Sequence, residues 1–238
     1  MDVCSNLSFK FRVQSQSRSR DGLSLPFSTT AESKMPASAT TLATRAFRLI
    51  CVEGNISAGK STLCRALAQR LNCSVFLEPA DANPFLQRFY VEPKKYALPL
   101  QLWMLQHRFV AMMRAIASAS SSSCAGAVMD RSIFSDIVFA LKNREDENID
   151  AAGYAEYEAL RAGLLALIPL PHAVVYLDVT AEACHDRVLS MRQRECESGI
   201  PLAYLEGLDR CYKKFCVDMQ DSGVDVLSFD WEQFGDVT

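Results

Sequence analysis

Residues 54–61 read GNISAGKS, the spacing G-x-x-x-x-G-K-[ST]. Glycines at this interval let successive backbone N–H groups turn toward one anion, and a following helix adds its N-terminal dipole. Lys60 can reach terminal phosphates, and the Ser61 hydroxyl suits Mg²⁺. Gly54, Asn55, Ile56, Ser57, Ala58, Gly59, Lys60, Ser61 and Thr62 are therefore candidate phosphate-binding residues of a nucleotide site. Three further charged positions fit chemistry on that phosphate. Glu78, in front of Pro79, can accept a proton from an attacking hydroxyl. Asp130 is placed to serve a metal beside the loop, and Arg131 to hold a substrate oxygen or phosphate with its fork. Arg187, Arg192 and Arg194 bracket a basic segment that can close over a nucleotide and set guanidinium groups on the transferring phosphate. The plainer readings are a solvated Glu78, an Asp130–Arg131 pair capping a helix, and a solvated charged turn at 191–195.

The elements that must position these groups are legible from apolar periodicity. Strands are expected over 48–53, 74–78, 127–130, 173–179 and 224–229. Helices are expected over 61–71, 98–116, 133–141, 154–167, 181–190 and from Gly199 to about Gln220, with a Ser-rich hinge at 118–123 and a charged link at 142–150. Strands apolar on both faces and alternating with helices imply an α/β fold, a three-layer sandwich with a five-stranded parallel sheet covered on both sides. Ligands of such sheets sit at the carboxyl ends of the strands, where Glu78, Asp130 and Arg131 stand. Gln101 and Arg108, seven residues apart on the long helix, share one face. The aromatics Trp103 and Phe109 read as core with a share in lining a cleft.

The chain has 238 residues and a net charge of −3. Residues 1–47 hold six Lys/Arg against three Asp/Glu, with nine Ser and five Thr, and resemble a transit peptide for a mitochondrion or plastid. The alternative is a cytosolic extension. Residues 48–238, read as one catalytic domain, then carry 19 basic and 25 acidic residues, which argues against a nucleic-acid partner. No apolar run of membrane-spanning length occurs. The nine cysteines show no metal-ligand spacing and read as reduced thiols.

Taken together, GNISAGKST, LEP at 77–79, DRSIFSD at 130–136 and RQRECESGIPLAYL at 192–205 resemble the deoxyribonucleoside kinases, the group holding deoxycytidine, deoxyguanosine and deoxyadenosine kinases. The likeness runs from about Arg48 to Phe234. It implies a phosphate-loop NTPase-type fold, Mg²⁺, ATP as phosphoryl donor, a small-molecule deoxynucleoside as acceptor and a homodimer built through the long helix and its neighbour. By resemblance Glu78 is the general base for the sugar 5′-hydroxyl, with Lys60, Arg131 and Arg192 completing the catalytic set. Ser61 and Asp130 serve the metal, Arg131 contacts the 5′-oxygen and phosphates, and Arg187, Arg192 and Arg194 belong to the lid. Tyr90 and Glu197 hold the sugar 3′-hydroxyl, while Gln101, Arg108 and Asp136 face the base. An Arg and an Asp there suit purines or cytosine. Relatives usually continue past the fifth strand into a last helix.

Two other readings compete. A nucleoside monophosphate kinase of the thymidylate type shares the loop, the strand-end Asp-Arg and the lid. A non-catalytic nucleotide switch or scaffold needs only the loop, but a GTPase would carry N-K-x-D, which is missing. Lys60, Glu78 and Asp130 together favour a catalyst.

Overall fold

The computed structural model describes residues 48–118, 125–191 and 195–233. The expected transit segment, the middle of the Ser-rich hinge, Arg192, Arg194 and the last five residues lie outside them. Five strands form one parallel sheet in the order β2-β3-β1-β4-β5: β1 (Arg48–Gly54), β2 (Ser74–Phe76), β3 (Gly126–Asp130), β4 (Ala173–Asp178) and β5 (Asp225–Asp230). The helices are α1 (Lys60–Leu71), α2 (Leu86–Val91), α3 (Pro93–Ala117), α4 (Asp136–Glu145), α5 (Ala151–Leu165), α6 (Ala181–Ser190) and α7 (Leu202–Asp221). Every residue of β3 is buried, so both faces of the sheet's centre are covered, as its unbroken apolar run implies. β5, on the sheet's edge, is mostly exposed.

The departures from expectation are local. β2 stops at Phe76, since only residues 74–76 pair with β3, and Glu78 lies beyond the strand before a proline that lacks an N–H. α4 starts at Asp136, because residues 131–135 form an irregular connection in which Arg131 has a left-handed φ of 62°. That helix then runs through Lys142, expected in a charged link. Lys142 is buried with its ammonium paired to Asp146, and its stem lies where a Cβ on Gly207 of α7 would be. α7 opens at Leu202 behind Pro201 rather than at Gly199.

Val52 of β1 aligns with Asp130 of β3, and the Arg131 N–H donates to the Val52 carbonyl at 3.0 Å. The phosphate loop and the Asp-Arg pair thus leave the sheet side by side, next to where chain order reverses about β1. At the other end, Gly126 faces Arg48, and a Cβ there would stand 2.1 Å from the Arg48 carbonyl oxygen. Gly126→Ala is expected to cost about 2 kcal/mol by overpacking, lowering Tm by roughly 5–8 °C in a thermal melt.

Most buried apolar residues join one core around the sheet. A second, small cluster of Phe89, Ala97 and Ile149 lies under α2 and the start of α3, joined to the first through Tyr90, Leu98, Tyr154 and Tyr204. Pro99 interrupts the hydrogen-bond ladder of α3 just beyond that cluster.

Candidate active site

The loop is built as its sequence requires. Gly54 ends β1, Ser57 has φ 61°, and Gly59, at φ 93°, precedes the first residue of α1. Asn55 is buried and staples the loop, its amide donating to the Leu205 carbonyl at 2.9 Å while its side-chain oxygen accepts from Ile56 N–H at 2.8 Å. Lys60 Nζ donates to the Asn55 carbonyl at 2.6 Å. Ser61 Oγ donates to Asp130 Oδ2 in a short hydrogen bond across to β3. A cleft of about 320 Å³ opens here, lined by Ser57, Gly59, Lys60, Ser61, Thr62 and Asp130 among others. Ala58 is packed away, and Ile56 lines a neighbouring cavity instead.

Arg187 was expected within the helix over 181–190, upstream of the basic segment that closes over a nucleotide. It sits within α6, buried, its guanidinium donating to the Trp231 and Glu232 carbonyls at 2.9 and 2.8 Å. It still lines the phosphate cleft, beside Met191.

The neighbouring cavity measures about 70 Å³ and holds Tyr90, Gln101, Arg108, Phe139 and Glu197 in its walls. Glu78 and Arg131 line both spaces. Glu78 is held from two sides. Arg108 contacts Oε1 through Nη2 and, at 3.2 Å, through Nε, while Arg131 Nε reaches Oε2 at 3.1 Å. Burial works to raise the Glu78 pKa, but Arg108 and Arg131, with Lys60 behind them, hold it at about 2. Burial likewise works against the Arg108 charge, and Glu78 and Asp136 overcome it, pushing that guanidinium above its ordinary range.

Asp136, expected to face a ligand, lies fully buried behind the cavity wall. Its carboxylate accepts from Arg108 Nη1 and from Gln101 Nε2 at 2.7 Å. Gln101 Nε2 also donates to the Asp136 carbonyl at 2.9 Å. A carboxylate and a carbonyl only accept, so the Gln101 amide nitrogen must face them. Its carbonyl oxygen is then the atom left to meet a ligand. The Arg131 guanidinium lies 4.8 Å from the Phe139 ring centre and 5.5 Å from that of Tyr212.

Several residues here escaped sequence reasoning. Glu53 is fully buried at the end of β1, where Ser132 Oγ donates to it at 2.7 Å, and burial raises its pKa. A carboxylate inside an apolar strand was a readable signal. Phe139, Tyr157 and Tyr204 carried none, because only the packing of α4, α5 and α7 brings them here. Trp103 stacks on His107 and does not line either space.

Comparison with known proteins agrees with this geometry. The family model for deoxynucleoside kinases matches residues 50–237. A deoxyguanosine kinase of Dictyostelium discoideum is 44% identical over 80% of this chain and 66% of its own length. A deoxyadenosine kinase of the same organism is 35% identical over 79% of this chain and 74% of its own. This chain thus spans about two thirds of the first relative's length and three quarters of the second's. The solved deoxyadenosine kinase of M. mycoides with bound dATP superposes with a TM-score of 0.68 at 25% identity, covering 78% of this chain and 92% of that one. On the matched span and the identity of these relatives, the chain belongs to the deoxynucleoside kinase family.

Proposed function

We propose that the protein transfers the γ-phosphoryl group of ATP to the 5′-hydroxyl of a deoxyribonucleoside, purines ahead of deoxycytidine, in nucleotide salvage. The observation that carries this is the shared wall: Glu78 and Arg131 border both the phosphate cleft and the cavity edged by Gln101 and Arg108. A hydroxyl held at that wall stands between a carboxylate that accepts its proton and the phosphates cradled by the loop.

Lys60 neutralises terminal phosphate charge, and Arg131 bridges the attacking oxygen and the transferred group. Ser61 Oγ and Asp130, already in contact, are hard oxygen donors that suit Mg²⁺, which takes few protein ligands and the rest from phosphates and water. The ion, when bound, offsets phosphate charge. Arg192 and Arg194 are proposed to close the lid over the nucleotide.

The smaller cavity lies below the usual volume of ligand pockets, so a nucleoside enters by drawing Arg108 off Glu78 while it keeps its pair with Asp136. Once Arg108 turns to the base, its hold on Glu78 weakens and the carboxylate becomes a better proton acceptor. The free Gln101 oxygen asks for a donor on the base, which the exocyclic amines of adenine, guanine and cytosine supply, as does thymine N3–H, so the base preference rests on Arg108 and on the relatives. The two Dictyostelium relatives, named for deoxyguanosine and deoxyadenosine, support the purine preference. Tyr90 and Glu197, on the same cavity wall as Gln101, are proposed to hold the sugar.

A homodimer is proposed through α3 and α5, where Leu102, Val110, Met113 and Leu160 are exposed. Residues 1–47 are proposed as an organelle-targeting extension preceding the kinase domain.

ADP formation with Mg²⁺-ATP, measured on the full chain against four deoxynucleosides and their monophosphates, is expected to be fastest with deoxyguanosine or deoxyadenosine. Turnover of a monophosphate alone would replace this reading with the thymidylate-kinase type. ATP binding without any turnover would replace it with a switch or scaffold.

A further inference from the structure

Helix α5 touches neither cavity, yet two of its side chains, one turn apart, reach the segment that carries the site. Tyr157 is fully buried and its hydroxyl donates to Asp136 Oδ2 at 2.7 Å. Arg161 Nη2 donates to the Phe134 carbonyl at 2.7 Å. They grip residues 131–135, the irregular connection between β3 and α4, and Asp136, the first residue of α4.

Asp136 is the hub of this arrangement. It is fully buried and collects three side-chain donors: Arg108 on Oδ1, with Gln101 and Tyr157 sharing Oδ2. Two of these three, Gln101 and Arg108, are among the polar groups that line the smaller cavity and are the pair proposed to meet a base. The third is the only one with no access to that cavity. A carboxylate without solvent needs its lone pairs filled, and its position follows its donors. Remove the donor behind it and the carboxylate is drawn toward Arg108, away from Gln101, so the pair that meets the base loses its fixed spacing.

We propose that Tyr157 is a positioning residue for base recognition, acting through Asp136 on Gln101 and Arg108 from outside the cavity. The inference rests on the nucleoside-binding reading above. Burial and then the Asp136 charge push the Tyr157 phenol well above its ordinary range, so it serves as a standing donor and takes no part in proton transfer.

The test is Tyr157→Phe in the full chain, which keeps the ring and removes one oxygen. Losing one charge-assisted hydrogen bond of three behind the base is expected to weaken deoxyguanosine or deoxyadenosine binding about tenfold. Titration calorimetry with the nucleoside reads this directly. In turnover, nucleoside KM rises by the same factor, while kcat and the KM for ATP stay nearly unchanged. A structural role alone would lower Tm and kcat with no such split, and that pattern overturns the proposal, as does unchanged nucleoside affinity. A second variant keeps the question decidable. In an Asp136→Asn background, Tyr157→Phe is expected to add almost no further loss, since the route through the carboxylate is already cut. Independent, additive losses would sink the idea. A protein that binds nucleoside without phosphorylating it would overturn the phosphotransfer reading alone, and the affinity comparison would still judge Tyr157. A protein that binds no nucleoside overturns both.

Discussion

Glu78→Gln is expected to lower kcat for nucleoside phosphorylation by about three orders of magnitude, with ATP affinity nearly unchanged. The substitution keeps the shape of the side chain and removes the charge that accepts the proton. It also removes the counter-charge shared by Arg108 and Arg131, which grip the two carboxylate oxygens from opposite sides. Arg108 keeps Asp136, but Arg131 loses the one acidic side chain that pairs with it among the described residues. Steady-state kinetics with the preferred nucleoside, alongside ATP titration, separates the two effects. A kcat within tenfold of the parent would remove Glu78 from the role of base.

The same residue fixes a pH dependence. Its folded pKa of about 2 lies below the ordinary 4.5. A depressed carboxylate stabilises the folded chain fully above its unfolded value and loses that contribution as pH falls through the folded one. The stabilisation is thus complete above about pH 4.5 and disappears toward pH 2. Urea midpoints measured down this range should fall more steeply for the parent than for Glu78→Gln, in which the group no longer titrates. Parallel curves would mean that the two arginines do not hold the carboxylate in solution.

Arg131→Lys is expected to lower kcat by about a thousandfold, although the charge is retained. An ammonium is a point donor and cannot reproduce the planar fork that meets Glu78 through one nitrogen and leaves others for oxygens of the transferred group. The guanidinium also lies over Phe139 and near the Tyr212 ring, contacts that a lysine keeps only in part. The left-handed backbone at this position is equally demanding of either residue, so it adds nothing to the difference. Single-turnover rates with saturating nucleoside would report the loss, and a rate within tenfold of the parent would show that charge alone suffices.

Much of this architecture was readable because the information is local. The loop spacing, the apolar strand runs and the Pro after Glu78 each act on their own neighbourhood, and the seven-residue interval from Gln101 to Arg108 needs only helical geometry. The start of α4 was not readable. Ile133 and Phe134 look like the first turn of a helix, but both are buried in the connection that Arg131 opens. Lys142 was misplaced in a linker because its burial depends on Gly207, sixty-five residues later. The burial of Asp136 behind its partners, and the arrival of Tyr157, depend on how α3, α4 and α5 meet, which no single segment encodes. The short α2 carries too few residues for its period to stand out.

The small cluster under α2 gives the two walls of the nucleoside cavity unequal cooperativity. Phe89, Ala97 and Ile149 form a small unit, joined to the core around the sheet through the half-buried Tyr90, Leu98, Tyr154 and Tyr204, and its few buried contacts favour opening by sub-global fluctuation. The wall carrying Arg131 rests through Phe139 and Tyr212 on the main core and is expected to open at higher cost. A ligand admitted past α2 is therefore expected to leave the phosphate loop and the Asp130–Arg131 turn in register, so that release does not disturb the groups that receive the next one.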